Sequence, residues 1–191
     1  MGGRAYTVFD TVVGRCAIAW SAAGIAGVQL AEAREIETRR QLLRRCPDAR
    51  ESRPNPDVEA AIDGLKALLR GEPADLSNAA LDMAEATPFH RRVYELVRTI
   101  PRGETLTFAE IATRLGASGA IHSVGQALSK NPFALLVPCH RALPARGETG
   151  GTPSCGGMVS RYRLLSIEGA LTGRGPTLFD ALLSAPPRST G

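Results

Sequence analysis

The sequence contains little histidine and little cysteine. Its 191 residues include only three histidines: His90, His122 and His140. The four cysteines, none of which has Cys-x-x-Cys spacing to another, are Cys16, Cys46, Cys139 and Cys155. Because zinc sites are built from closely spaced Cys and His ligands, we expect no metal site. The chain carries no motif for any other cofactor, so we expect none.

Long apolar segments are also missing. No apolar stretch approaches the roughly 18 residues that a helix needs to cross a bilayer, and no apolar signal core follows Arg4. A chain of this size does not need disulfides for stability. We therefore expect a cytoplasmic protein that does not bind a membrane.

The charge balance is mildly basic, with 23 Lys and Arg against 19 Asp and Glu, and the pI is near 9.2. Hydrophobic residues make up 43% of the chain, which is enough for a folded core and excludes a disordered chain. A net charge of +4 is by itself only weak evidence for a polyanionic partner such as DNA.

The first half of the chain has short β-prone segments separated by glycines. These segments lie between residues 5 and 31 and predict a small antiparallel meander. An exposed amphipathic helix is predicted over 32–46, a loop over 50–56 and a second helix over 56–70. The mixed stretch 72–87 predicts a short strand and contains the domain boundary. We therefore expect a small α/β domain over residues 1–84.

The second half is predicted to be helical. Thr87 and Pro88 form a helix start, and Thr107 with Glu110 forms a capping box that opens another helix. A glycine turn at 116–119 leads into a third helix over about 120–129. This outline is typical of a helix-turn-helix, although three helices packed as a simple bundle would give a similar pattern.

The chemistry is concentrated after the third helix. An apolar run at 133–137, which predicts a buried strand or extended segment, leads into Cys139 and His140. A neighbouring base can lower the pKa of a thiol and make it a nucleophile. In an extended segment, however, adjacent side chains point to opposite sides, so the contact would require a bridging water. By itself, the Cys-His pair could be a chance occurrence.

The context of this pair resembles the O6-alkylguanine-DNA alkyltransferase family. The matching motifs are VGQAL at 124–128, NP at 131–132, PCHR at 138–141, GG at 156–157, RLL at 163–165 and IEG at 167–169. Upstream matches are TPF at 87–89, IP at 100–101, GET at 103–105 and FAEIA at 108–112. The resemblance is close over 87–170 and covers the first half only in outline.

This resemblance implies an α+β fold. A ribonuclease-H-like domain with an antiparallel sheet, at 1–84, would precede a winged-helix-like domain at 85–170, which holds the helix-turn-helix and the active-site cysteine. Residues 171–191 would form a tail. The implied activity is single-turnover, self-inactivating transfer of an alkyl group from O6-alkylguanine in DNA to Cys139, with O4-alkylthymine as a further candidate substrate.

The resemblance also assigns roles to individual residues. Cys139 matches the alkyl acceptor, His140 the base that draws its proton through a water, and Glu168 the carboxylate that holds this histidine. Asn131 matches the residue that orders the neighbouring turn. The carbonyl of Val137 would read the exocyclic amine of guanine, and Arg141 is mainly structural in the family.

The implied partner is double-stranded DNA, bound through the minor groove by a monomer, with the target nucleotide flipped out of the stack. Minor-groove docking needs small residues on the docking helix, and Ala120, Ser123, Gly125 and Ala127 satisfy this requirement. Close packing between helices would explain the same residues equally well.

Three departures from the family pattern affect delivery of the base. Phe108 stands where a tyrosine is usual, and the lost hydroxyl could cost on the order of 3 kcal/mol at the transition state. His122 stands where an arginine usually fills the gap left by the flipped base, although it could be an ordinary surface histidine. In the slightly lengthened loop 147–157, Thr152 or Ser154 could supply a hydroxyl, but no aromatic lid is present.

Three other functions stay open at this point. A non-catalytic lesion-binding module would typically lack Cys139. A Cys-His hydrolase or acyl transferase would need an oxyanion arrangement that the sequence does not show. An alkyl acceptor with a substrate other than DNA is compatible with Phe108 and His122.

Overall fold

The computed structural model describes residues 3–144 and 161–170, which form an α+β fold, as predicted. The strands are β1 (Ala5–Thr11), β2 (Gly14–Ser21), β3 (Gly24–Gln29), β4 (Arg50–Glu51), β5 (Leu106–Thr107) and β6 (Ala142–Leu143). The α-helices are α1 (Glu35–Arg45), α2 (Pro56–Leu69), α3 (Pro88–Arg98), α4 (Phe108–Arg114), α5 (Ile121–Ser129) and α6 (Arg161–Ile167). None of these helices has the length and apolar character required to cross a membrane.

The predicted antiparallel meander is confirmed. Strands β1, β2 and β3 pair antiparallel in a sheet of order β3-β2-β1-β4. The short strand β4 lies inside the segment predicted as a loop, and it pairs in parallel with β1. The strand forms because the fold brings this stretch beside β1. The polar residues of the stretch do not indicate such a contact.

Helices α3 and α4 begin where local capping predicts. The Thr87 hydroxyl accepts a hydrogen bond from the amide of His90 at 3.2 Å. At the start of α4, Thr107 and Glu110 form both hydrogen bonds of the capping box. Gly116, with φ of +70°, follows the C-cap of α4 in a left-handed conformation that glycine adopts without strain. Helix α5 begins at Ile121, after the rest of this turn.

The sheet and the helical half share one hydrophobic core. A single cluster contains Ile18 and Val28 of the sheet, Leu65 of α2, Val97 of α3 and Val137. Strand β3 also contacts the segment after α5 through its backbone, because the amide of Val28 donates to the carbonyl of Pro132 at 2.8 Å. The segment that leads to Cys139 is therefore held against the sheet.

The apolar segment 133–137 is buried as predicted, but it is not a strand. It forms a tight turn in which the amide of Val137 donates to the carbonyl of Phe133 at 2.8 Å. Leu135 has a φ of 68°, in the left-handed region that a leucine rarely adopts. Apolar periodicity indicates that a segment is buried, but does not distinguish a short strand from a buried turn.

Candidate active site

Asn131 holds the turn that precedes Cys139. Its side chain is buried, Nδ2 donates to the carbonyl of Val137 at 3.0 Å, and Oδ1 accepts from the amide of Phe133 at 2.9 Å. One amide thus bridges the two ends of the buried turn. Removing it would leave the amide of Phe133 without this acceptor, and an unsatisfied buried backbone group typically costs about 1–3 kcal/mol.

Pro138 turns the chain into the site. Its φ of −74° and ψ of 68° are those of an inverse γ-turn, and the amide of Cys139 donates to the carbonyl of Val137 at 2.7 Å. The Val137 carbonyl therefore accepts two hydrogen bonds, one from Cys139 and one from Asn131. These two bonds hold the carbonyl in place and occupy both of its lone pairs. The role implied by the family resemblance requires the same carbonyl to accept a hydrogen bond from the exocyclic amine of guanine.

Cys139 opens a 3-10 turn, Cys139–Arg141, rather than lying in an extended segment. Successive side chains in such a turn diverge by about 120°, instead of pointing to opposite sides as in a strand. Cys139 is 1% exposed and His140 is fully buried. Both side chains thus lie in a water-poor interior, which strengthens electrostatic effects on the thiol.

His140 and Glu168 form a buried pair. Nε2 of His140 lies 2.8 Å from Oε1 of Glu168. Burial lowers the pKa of His140 despite the opposing effect of Glu168, so the imidazole is neutral near pH 7. Because an ionised carboxylate can only accept, Nε2 carries the proton and Nδ1 presents a lone pair. Nδ1 is buried and has no hydrogen-bond partner within the described part of the chain.

Arg141 holds Glu168 from a second direction. Its Nε and Nη2 donate to the two oxygens of Glu168 at 2.9 and 2.7 Å, and its Nη1 donates to the carbonyl of Ile100 at 2.6 Å. Burial by itself would raise the pKa of Glu168, but the hydrogen bonds and charges of His140 and Arg141 lower it to about 2. The carboxylate therefore stays ionised and keeps the histidine in one tautomer.

Tyr94 of α3 lies near the site although the sequence patterns did not indicate it. Its hydroxyl donates to the carbonyl of Ala127 at 2.9 Å, and its ring packs edge-on against Phe133. Burial, with a smaller contribution from nearby Cys139, raises the pKa of Tyr94 to about 12. The only sequence feature that could have indicated this residue is that a tyrosine lies beside the apolar stripe of α3. Helical periodicity alone does not assign it a role in the site.

The residues predicted to contact DNA lie in different environments. His122 is exposed on α5, and its Nε2 lies 3.2 Å from Nε2 of Gln126, one turn further along. Phe108 is buried and packs so closely on Gly125 that a Cβ added to this glycine would lie 3.3 Å from Cε2 of the ring. Ser123 is partly exposed on the same helix.

Ala127 does not lie on the exposed face of α5. It is fully buried, and its carbonyl accepts from Tyr94. The structure therefore corrects the interpretation of Ala127 as a DNA contact, because its small side chain serves the packing of α5 against α3. Thr152 and Ser154, the two candidate hydroxyls, lie outside the described residues, as do Cys155 and the predicted tail. Within residues 3–144 and 161–170, no group of His, Cys, Asp and Glu could hold a metal ion.

The same region of the chain matches a known family. The model described as "6-O-methylguanine DNA methyltransferase, DNA binding domain" matches residues 88–170. A methylated-DNA–protein-cysteine methyltransferase of Methanothermobacter thermautotrophicus is 40% identical over 119 residues, which are 62% of this chain and 65% of the relative. This chain therefore spans slightly less than two thirds of that relative's length.

Two matches from Mycobacterium tuberculosis cover more of the chain. A methylated-DNA–protein-cysteine methyltransferase of Mycobacterium tuberculosis is 40% identical over 129 residues, which are 66% of this chain and 75% of the relative. The crystal structure of Mycobacterium tuberculosis OGT in complex with DNA superimposes with a TM-score of 0.65 at 29% identity, covering 86% of this chain and 92% of that one. The similarity thus extends from the matched domain into the N-terminal sheet.

Proposed function

Because this chain belongs to the 6-O-methylguanine DNA methyltransferase family, we propose that Cys139 accepts an alkyl group from O6-alkylguanine in DNA. The observation that carries this proposal is the buried arrangement around the thiol. Cys139 lies next to a neutral imidazole whose tautomer is set by Glu168, so that Nδ1 is available as a base. The chain would act as a stoichiometric methylated-DNA–protein-cysteine S-methyltransferase.

The proposed reaction is a displacement at the alkyl carbon. The Cys139 thiol loses its proton through a water to Nδ1 of His140, and sulfur keeps the electron pair. Sulfur then forms a bond to the alkyl carbon as the bond from this carbon to guanine O6 breaks. The electron pair of the broken bond remains with the guanine, which takes up a proton from His140. The thioether is not hydrolysed, so each molecule reacts once.

Access to the base requires DNA binding and base flipping. The alkylated atom of a paired guanine lies inside the stack, whereas Cys139 is buried in the protein, so the nucleotide must leave the duplex. We propose that a monomer docks α5, with the half-buried Ser123 and Gly125, in the minor groove. His122 would lie at the gap left by the flipped base. O4-alkylthymine, which also carries its alkyl group on an exocyclic oxygen, is a further candidate substrate.

The altered residues around the base indicate a shifted substrate preference. Phe108 has no hydroxyl to donate to the departing guanine, and His122 is shorter than the usual arginine, so we expect slower flipping and reaction. A loop without an aromatic lid would admit bulkier alkyl groups. Comparing single-turnover rates on O6-methylguanine and O6-benzylguanine duplexes tests this, and a strong preference for methyl would contradict it.

The proposed reaction is tested by intact-protein mass spectrometry after incubation with an O6-methylguanine duplex. We expect one methyl group per chain, located at Cys139 by peptide mapping and absent from Cys139→Ala. Cys16→Ala, which removes a buried thiol from β2, should be methylated like the wild type. A wild-type chain that remains unmodified, or an adduct that persists in Cys139→Ala, would overturn the proposal.

A further inference from the structure

Arg102 lies in the tight turn that connects α3 to β5. The amide of Glu104 donates to the carbonyl of Pro101 at 3.1 Å, so these residues close a β-turn in which Arg102 is the second residue. Gly103 has a φ of +83°, the left-handed value that the third residue of a type II turn requires. The side chain of Arg102 is partly buried, so the turn directs it onto the protein rather than into free solvent.

The guanidinium of Arg102 joins the ends of two helices. Its Nη2 donates to the carbonyl of Gly71, just after α2, at 2.5 Å, and to the carbonyl of Ile167, the last residue of α6, at 3.2 Å. Because the last carbonyls of a helix lack partners within it and carry partial negative charge, a cationic donor at the end of α6 is favourable. The bond to Gly71 anchors the same group to the first half of the chain.

The end of α6 that Arg102 holds carries the carboxylate of the candidate active site. Ile167 directly precedes Glu168, whose Oε1 lies 2.8 Å from Nε2 of His140. The turn also approaches Glu168 itself, since a Cβ added to Gly103 would lie 3.9 Å from the carbonyl oxygen of Glu168. A shift of this turn would therefore be felt at the carboxylate.

The same connection between α3 and β5 holds the second partner of Glu168. The carbonyl of Ile100 accepts from Nη1 of Arg141 at 2.6 Å, and Arg141 donates to both oxygens of Glu168. The connection thus binds the helix end through Arg102 and the arginine through Ile100. Since a helix of seven residues is not stable by itself, the orientation of α6 depends on contacts of this kind.

We propose that Arg102 is a positioning residue that fixes the end of α6, so that Glu168 stays within hydrogen-bonding distance of His140. This inference rests on the proposed function, in which His140 is the base for Cys139. When the end of α6 is released, the neutral imidazole is no longer held with its proton on Nε2, and Nδ1 is a base for only part of the time. Arg102 belongs to none of the motifs that the chain shares with its family, and the resemblance gives it no role.

The first measurement is the tautomer of His140, read from nitrogen NMR spectra of protein with isotopically labelled histidine, at neutral pH and without DNA. The chain has three histidines, so His90→Gln and His122→Gln identify the signals of His140 by elimination. In the wild type we expect the spectrum of an imidazole protonated on Nε2. In Arg102→Met, which removes both hydrogen bonds, the two ring-nitrogen signals should move toward each other as the second tautomer becomes populated.

The second measurement is the single-turnover rate at a saturating concentration of O6-methylguanine duplex. In Arg102→Met we expect a rate about tenfold lower, because a base that is displaced even slightly loses its alignment with the reacting group. The duplex concentration for half-maximal rate should stay the same, since Arg102 is not part of the docking helix. Arg102→Lys keeps the charge and a donor for the same carbonyls, so it should recover most of the rate and of the spectrum.

Arg98→Met is the matched control. Arg98 also joins separate elements by donating from Nη2 to backbone carbonyls, in its case those of Leu76, Ser77 and Ala79 between α2 and α3. Its loss should lower stability in urea, as the loss of Arg102 does. We expect this variant to keep the wild-type rate and the wild-type spectrum of His140, because its bonds do not involve α6.

An Arg102→Met protein that keeps either the wild-type spectrum or the wild-type rate would overturn the inference. So would an equal loss of rate in Arg98→Met, because general destabilisation would then explain both variants. Circular dichroism checks folding, and Arg102→Gln replaces Arg102→Met under the same criteria if the latter is unfolded. The NMR measurement contains no DNA and no alkyl group, so it decides the role of Arg102 even if the duplex fails to methylate the wild type.

Discussion

Nε2 of His140 lies 2.8 Å from Oε1 of Glu168, and neither side chain is exposed to solvent. The two residues are 28 positions apart in the chain, so this contact joins the 3-10 turn to the end of α6. It places the proton of the imidazole on Nε2 and leaves Nδ1 as the base. The reactivity of Cys139 therefore depends on how α6 is held against the turn.

We first predict that Glu168→Gln slows alkyl transfer by about 100-fold or more, because the imidazole loses the group that sets its tautomer. Unfolding by urea should also show a destabilisation of roughly 3–5 kcal/mol, since Arg141 would be left as an unpaired buried charge. Glu104→Gln is the matched control at an exposed site and should change neither quantity. A Glu168→Gln protein with a wild-type transfer rate would contradict the role of this carboxylate.

Asn131→Ala should destabilise the fold by about 2 kcal/mol, because the buried amide of Phe133 loses its acceptor and the carbonyl of Val137 loses one of its two donors. The transfer rate should fall as well, since the turn that positions Cys139 is loosened. Denaturant unfolding and single-turnover kinetics measure the two effects. Asn78→Ala, at an exposed asparagine, serves as the comparison, and equal stability of the two variants would refute this prediction.

Gly125→Ala tests the contact between α5 and the ring of Phe108. The added Cβ would lie 3.3 Å from Cε2 of that ring, so the ring must shift by a few tenths of an ångström. We expect slower reaction with alkylated DNA but unchanged reaction of Cys139 with iodoacetamide. At Gly119, a Cβ would meet nothing within 4 Å, so Gly119→Ala should react at the wild-type rate. A parallel loss of both reactivities in Gly125→Ala would indicate a general structural effect instead.

Phe108→Tyr should accelerate alkyl transfer. The hydroxyl would be available to donate to the departing guanine, and a hydrogen bond worth about 3 kcal/mol at the transition state corresponds to roughly a 100-fold faster reaction. Single-turnover rates on an O6-methylguanine duplex measure the gain, and thermal unfolding checks that stability is little changed. A rate at or below the wild-type value would mean that the ring in this chain is not aimed at the base.

Stability should fall as the solution is acidified. Burial lowers the pKa of His140, so below about pH 6.5 the unfolded chain binds a proton that the native histidine resists. The contribution of Glu168, whose pKa is lowered from 4.5 to about 2, is complete above about pH 4.5 and is lost as the pH falls toward 2. Both groups act in the same direction, and unfolding measured between about pH 8 and pH 5 reports the histidine.

A variant at His90 separates the two histidines. Its pKa is also lowered, first by burial and then by Lys130, but it is only partly buried. His90→Gln should therefore retain most of the decline in stability below about pH 6.5. If the decline disappears in this variant, His140 is not its source.

Local signals predicted most of the regular elements because they act over a few neighbouring residues. The capping box of Thr107 and Glu110 and the turn at Gly116 determine where α4 begins and ends, whatever packs against it. The prediction of an extended segment before Cys139 was wrong because the conformation of this segment depends on contacts with residues outside it. Its apolar residues indicate burial, while the turn itself is held by Asn131 and by contact with β3.

Local patterns along the chain were sufficient to predict the α+β class, the family resemblance and the candidate nucleophile, since helix caps, β-prone segments and the PCHR motif each span only a few residues. The folded structure was needed to show that Ala127 is buried, with its carbonyl bonded to Tyr94, and that Glu168 contacts His140. The burial of Arg161 is likewise visible only in the folded chain. Burial and charge balance are sums over groups far apart in sequence, and they exist only once the chain has folded.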